Sequence, residues 1–309
     1  MKRFLTYVAA FSCVLLLACA GIEFGLLKIS NEYAFKCDYI ERHGDDIKVL
    51  ALGHSHISNG FNAGEVGDSV FNIATSGRLL YYDAEIVRRY VPHLNNIRCV
   101  VVPLGYDFQY QSYRNVVKEK EQVYNSYYRC MFTKYWDMPY PGDSRYGYWS
   151  ELLNSQVNFI SRFFAGGFEE LNECDRNGWE EMKLSDRSDL WQEEHLPVEF
   201  DRNTEVAKAA FSENLEYMRL IARVCKDKGV RLVVVTMPCY RTYSELMTKE
   251  GISDMVQCLD AMTQVYPAVE YYNFMDDDRF SSEDFFDSSH LSDVGTRKFA
   301  RIFREEVLN

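Results

Sequence analysis

A doubly wound α/β domain on a mostly parallel five-stranded sheet, with a large aromatic-rich insertion after the third strand, is the fold this sequence predicts, on three observations. Short apolar runs alternate with segments of helical periodicity from Ile47 to the C-terminus. The runs are apolar nearly throughout, as suits strands covered on both faces rather than one. The alternation stops once, between Tyr106 and Asn203, and then resumes with the same rhythm. Parallel strands need crossover helices between them, and strands alternating with helices are the mark of a sheet covered on both sides.

Taken in order, the chain opens with Lys2 and Arg3, then an uncharged run from Phe4 to Ile22 that Glu23 closes. Its length approaches the roughly 20 residues needed to span a bilayer and exceeds the core of about 7–15 residues in a cleaved signal. The sequence therefore predicts an anchor over residues 1–30. The basic pair places the N-terminus in the cytoplasm and the rest of the chain, 31–309, outside it. Leu16-Leu17-Ala18-Cys19 also resembles a bacterial lipoprotein box, in which acyl chains on Cys19 would replace the helix and keep the same address. A buried core helix is the third reading of the run.

Ile47 to Gly53 reads as the first strand and Val70 to Ala74 as the second. Arg78 to His93 has helical spacing, with Leu79, Ala84, Ile86, Val87 and Tyr90 free to form a buried face. Ile97 to Leu104, around Val100-Val101-Val102, is the strongest strand signal. Residues 107–203 hold all four tryptophans and are read as an inserted cap, because a structureless loop of that length is improbable in a compact domain. Thr204 to Lys228 reads as a helix capped by Gly229, then a strand to Met237, a helix over Glu245–Val265, a strand over Val269–Phe274 and a closing helix over Asp293–Val307.

With 309 residues, 47% of them hydrophobic, the chain can bury one substantial core. A net charge of −12 without any cluster of Lys and Arg argues against nucleic acid as a partner. Of nine cysteines, Cys13 and Cys19 lie in the apolar run, and the other seven show no C-x-x-C spacing, so neither a zinc site nor any cofactor is predicted. Disulfides are permitted outside the cytoplasm but cannot be paired from sequence, and Cys99 reads as a small buried hydrophobe. Asp276-Asp277-Asp278 with Glu283 and Asp284 lacks the glycine and spacing of a calcium loop and reads as a solvated acidic turn.

Two segments carry chemistry. Gly53-His54-Ser55-His56-Ile57 lies at the carboxyl end of the first strand, the edge at which open α/β sheets bind ligands. A serine after a tight-turn glycine can project its hydroxyl into a cleft there, although strand-Gly-x-Ser turns also serve as phosphate loops or plain turns. The second segment is Asp287-Ser288-Ser289-His290 before the final helix. A serine nucleophile needs a base and the base needs a carboxylate, which Asp287 and His290 can supply on one turn. The bland alternative is a capping turn, with Ser292 or Asp293 at the helix start.

The two segments, in this order and at opposite ends of an α/β domain, resemble the first and last signature blocks of the SGNH (GDSL-like) hydrolase and acyltransferase superfamily, over roughly residues 45–106 and 204–309. The resemblance implies a flavodoxin-like sheet, Ser55 as nucleophile, His290 as base and Asp287 as its orienter. It also implies an oxyanion hole from the N–H groups of Ser55 and Gly77, the latter matching the glycine of the family's second block. Two departures stand out. His54 replaces the usual aspartate before the serine, and Gly105-Tyr106-Asp107-Phe108 lacks the asparagine of the usual Gly-x-Asn-Asp third block. Layout, more than motif, is also similar to the D-alanyl-transfer protein of teichoic-acid synthesis and to polysaccharide O-acetylation proteins.

Tyr106, Asp107 and His56 are the candidates to touch substrate, His56 reading equally as a packing residue at the helix start. Trp136, Tyr140, Tyr148 and Trp149 either stack on sugar rings or form the cap's own core. The expectation is an extracytoplasmic esterase or acyltransferase acting on acyl esters of an envelope or extracellular glycan. The rival is a non-catalytic envelope module that keeps the fold.

Overall fold

The three valines of the third strand sit at the centre of the sheet, flanked on both sides, as a run without polar residues requires. A computed structural model describes residues 1–27, 31–106, 108–113, 119–143, 174–197 and 201–309. The five strands are β1 (Val49–Ala51), β2 (Val70–Asn72), β3 (Cys99–Pro103), β4 (Arg231–Thr236) and β5 (Glu270–Asn273). All pair in parallel, in the order β2-β1-β3-β4-β5, with Leu50 opposite both Phe71 and Val100 and Val101 opposite Val233. This is the predicted doubly wound sheet.

Crossovers run through Leu80–Tyr90, Glu205–Lys228 and Lys249–Val265, and Asp293–Phe303 closes the chain. The long helix starts on the Thr204 hydroxyl and ends on Gly229 in the left-handed region, so both of its caps were written in the sequence. The helix expected over Glu245–Val265 begins four residues later, on a Thr248 cap. The closing helix stops at Phe303 and continues as a turn of π-helix to Leu308. Progress across the sheet reverses between β1 and β3, which leaves a crevice outside their carboxyl ends.

The chain divides into two compact units, Lys36–Gln122 with Glu173–Asn309, and Met1–Phe35 with Val123–Asn172. The predicted cap over 107–203 is therefore corrected at both ends, since residues 108–113 and 174–197 fall within the sheet-bearing unit. Residues 174–197 belong to the sheet-bearing unit because their backbone is bonded into it: Asn72 donates to Asn177 O at 2.9 Å, Glu180 to Ser58 O at 3.1 Å and Asp293 to Met182 O at 2.7 Å. Gly178 carries φ +83°, and a Cβ there would fall 1.9 Å from the carbonyl oxygen of Asn72. Gly178→Ala should lower stability by about 2–4 kcal/mol through that clash and the left-handed backbone. Urea unfolding reads this directly, and a change below about 0.5 kcal/mol would show that the 177–180 turn does not hold β2.

In the other unit, helix Lys2–Leu26 is long and apolar enough to cross a membrane, and its apolar window is wholly exposed. Glu23, which closes the apolar run in the sequence, is buried in an ion pair with Lys134. Tyr33 packs edge-on against Phe132 at 5.5 Å, and Phe132 lies 6.0 Å from Trp136. Trp136 and Tyr140 are buried, which fits the reading as the insertion's own core; Tyr148 and Trp149 lie outside the described residues. No disulfide joins any of the nine cysteines, and Cys99 is buried in β3.

Candidate active site

Ser55 is the first residue of helix Ser55–Gly60, which leaves the carboxyl end of β1. The connection is tight because Gly53 adopts φ +130°, where a Cβ would lie 2.5 Å from Pro103 at the end of β3. Asn72, at the end of β2, holds the helix from below. Its amide donates to the carbonyl oxygens of Ile57 (2.8 Å) and Phe61 (2.9 Å), while its own oxygen accepts from Ala74 N–H.

At the other end of the chain, the Asp287–His290 turn is drawn tight by Phe286 N–H donating to His290 O at 2.8 Å. His290 Nδ1 lies 2.8 Å from Asp287 Oδ2, and His290 Nε2 lies 2.8 Å from Ser55 Oγ. Asp287 is 1% exposed, and its Oδ1 also accepts the N–H groups of Ser289 and His290. Burial opposes its charge, but the bond from His290 and the nearby imidazoles of His290 and His195 outweigh it and hold the carboxyl below its ordinary range. The capping reading holds as well: Ser292 Oγ accepts Gly295 N–H at the start of the closing helix. The structure thus brings Ser55, His290 and Asp287 into one hydrogen-bonded line.

Gly77 sits in a turn with φ +67°, tied to the serine loop because Thr75 N–H donates to Gly53 O at 3.2 Å. Among the described residues, neither the Ser55 nor the Gly77 N–H donates a hydrogen bond. Two buried ion pairs brace these loops, and no pattern in the sequence marks either. Arg78 pairs with Asp83 at 2.8 Å and donates to Ile73 O, while Asp83 accepts Gly53 N–H at 3.1 Å. Burial pushes the Asp83 carboxyl up to about 6 against the pull of Arg78. Lys36 pairs with Glu180 at 3.1 Å and donates to Ala74 O; Glu180 accepts the hydroxyls of Ser58, in the serine helix, and Ser76, beside Gly77.

The other candidates fare differently. His56 stacks edge-on between His54 (4.7 Å) and His290 (5.0 Å), a packing position at the helix start. Tyr106 is buried and lines a neighbouring pocket, with its hydroxyl bonded to Thr248 at the start of helix Lys249–Val265. Asp107 lies outside the described residues. That shallow pocket, beside the serine helix, is also lined by His56, Leu104, Gly105, Met237, Tyr243 and Met275; Ser55, His290 and Asp287 are not among its lining residues. In the acidic turn, Asp277 pairs with Arg279 and Asp284 with Lys298, so these carboxylates are matched by cations.

Burial, with His290 and Arg78 nearby, lowers the His54 imidazole to about 3, and burial beside His54, His290 and His195 takes His56 well below its usual 6.5. Both rings stay neutral in the folded protein where the unfolded chain already takes up protons. The unfolded state then binds more protons, so stability falls as pH drops from about 6.5 toward 3. His54 alone contributes a loss of about 2 kcal/mol between pH 6.5 and 5. Denaturant unfolding at the two pH values measures this; a His54→Asn variant with an undiminished slope would refute the assignment to His54.

No family model matches this chain, and no curated protein matches it.

Proposed function

We propose that the chain is a serine esterase or O-acyltransferase of the SGNH type, acting on acyl esters of a cell-envelope or extracellular carbohydrate. The observation that carries this reading is the unbroken line from Ser55 Oγ through His290 to Asp287, at 2.8 Å on both sides of the imidazole. His290 Nε2 takes the serine proton as Oγ attacks the ester carbonyl, and Asp287 holds the ring's tautomer and stabilises the imidazolium. The alcohol leaves with a proton from His290, and water or a sugar hydroxyl then takes the acyl group from Ser55. Hydrolase and transferase differ only in that acceptor. The free N–H groups of Ser55 and Gly77 are the donors assigned to the oxyanion, at about 3–4 kcal/mol each in related chemistry.

The third-block asparagine is missing, which favours the second reading, a non-catalytic binding or assembly module. The bracing of both loops by two buried ion pairs favours catalysis, since a catalytic constellation needs its geometry held closely. The N-terminal helix is assigned as an uncleaved anchor, with the α/β unit extracytoplasmic by the basic pair that precedes it. The test is fluorophosphonate labelling of the detergent-solubilised chain, with p-nitrophenyl acetate turnover in parallel. Labelling and turnover are expected; folded protein that does neither would turn the choice to the binding module.

A further inference from the structure

A further histidine, His195, lies beside Asp287 and His290. His195 comes from the segment after the insertion, with its backbone in the left-handed region at φ +54° and its side chain 56% exposed. It is held there by construction: Glu194 O accepts both the N–H and the hydroxyl of Ser288, next to Asp287, and Arg187 donates to Ser282 O and Phe285 O. His195 Nδ1 thereby lies 3.7 Å from Asp287 Oδ2, and its ring centre 5.1 Å from that of His290. A separation of 3.7 Å is too long for a direct hydrogen bond.

It does fit a shared cation. One donor atom each from His195, Asp287 and His290 lie within 4.8 Å of one another. With zinc bonds of about 2.0–2.1 Å, the donors of a tetrahedral site stand about 3.3 Å apart. The two separations to Asp287 Oδ2, 2.8 and 3.7 Å, bracket that value, and the donors of the two imidazoles lie within 4.8 Å of each other, so the exposed His195 side chain must close in to complete the site. Two imidazoles and one carboxylate are a donor set that zinc accepts, with a fourth position left for water.

We propose that His195, Asp287 and His290 form a binding site for a divalent zinc-type ion, and that occupying it switches the serine off. The second half rests on the esterase reading; the site itself does not. The proton balance explains the switch. In the active form His290 carries its proton on Nδ1, toward Asp287, and offers a lone pair on Nε2 to Ser55. Zinc on Nδ1 takes the place of that proton, and the neutral ring then keeps its one proton on Nε2. Nε2 becomes a donor to Ser55 Oγ and cannot accept from it, so no base remains.

The experiment uses the full chain in detergent with Zn²⁺ as probe, measured by competition against a chromophoric chelator. The expected result is one zinc per chain, with affinity unchanged in Ser55→Ala and lowered about ten-fold or more in His195→Ala and His195→Gln. Zinc should also block fluorophosphonate labelling of the wild type, reversibly with EDTA, and fail at the same concentration in folded His195→Ala relative to that variant's own zinc-free labelling. Equal zinc affinity in both His195 variants, or no binding to the wild type, would overturn the site. Binding that needs His195 in a protein that never labels would retain the site and sink the esterase reading, whereas labelling untouched by bound zinc would overturn the switch alone.

Discussion

Replacing Ser55 by alanine is expected to abolish fluorophosphonate labelling and to lower ester turnover by about three to six orders of magnitude, the range over which loss of a triad nucleophile is felt. That fall corresponds to about 4–8 kcal/mol of transition-state stabilisation. Three observations make the expectation specific. Among the described residues Ser55 Oγ has one acceptor in reach, His290 Nε2, and that ring is fixed by Asp287, itself buried and held by two backbone N–H groups. His290→Ala should cost about as much as Ser55→Ala, and the double variant little more, because members of a triad act as a unit. Asp287→Asn should cost about four orders of magnitude by favouring the wrong tautomer. Ser55 is only partly buried at a helix start, so its alanine variant should unfold near the wild-type midpoint. Ser55→Ala protein that still labels would place the reactive serine elsewhere and end the assignment.

The largest effect on stability is expected from Lys36→Met. Lys36 and Glu180 show side-chain exposures of 0% and 7%. Removing the cation takes the Lys36 charge away from the buried Glu180 carboxylate, a loss of about 3–5 kcal/mol. For a domain of this size that lowers the melting temperature by about 10 °C. Glu180→Gln in the same chain should recover part of the loss, because an amide needs no counter-charge, so the double variant should be more stable than Lys36→Met alone. Glu180 also holds Ser58 and Ser76, one on the serine helix and one beside Gly77. The double variant should therefore stay slow even where it is folded. Lys36→Met within 1 kcal/mol of wild type would mean that the pair is not buried as described.

What could be read from the sequence follows from the length scale of each signal. Strands such as Cys99–Pro103 announce themselves because four or five neighbours are apolar together, and Thr204 and Gly229 mark their helix because caps have fixed chemistry. Ser55 was legible because it follows a strand at its carboxyl end, where the sheet must open, and Asp287 and His290 because they stand three positions apart in the stretch between the last strand and the closing helix. Glu180, Lys36 and His195 were not. Each is a single polar residue whose meaning depends on a partner about 90 or more positions away or on a turn that no pattern marks. The far boundary of the insertion was missed for the same reason, since the hydrogen bonds that tie residues 174–197 to the sheet come from irregular backbone.

Ser55 and His290 lie 235 positions apart, and that distance sets the order in which the protein can come alive. At synthesis rates of about 5–20 residues per second, the histidine leaves the ribosome about 10–50 s after the serine. A serine without its base is an ordinary alcohol, so under the proposed esterase function the growing chain stays chemically silent while it is being made. Under that proposal, reactivity begins only when the Asp287–His290 turn closes onto the serine helix.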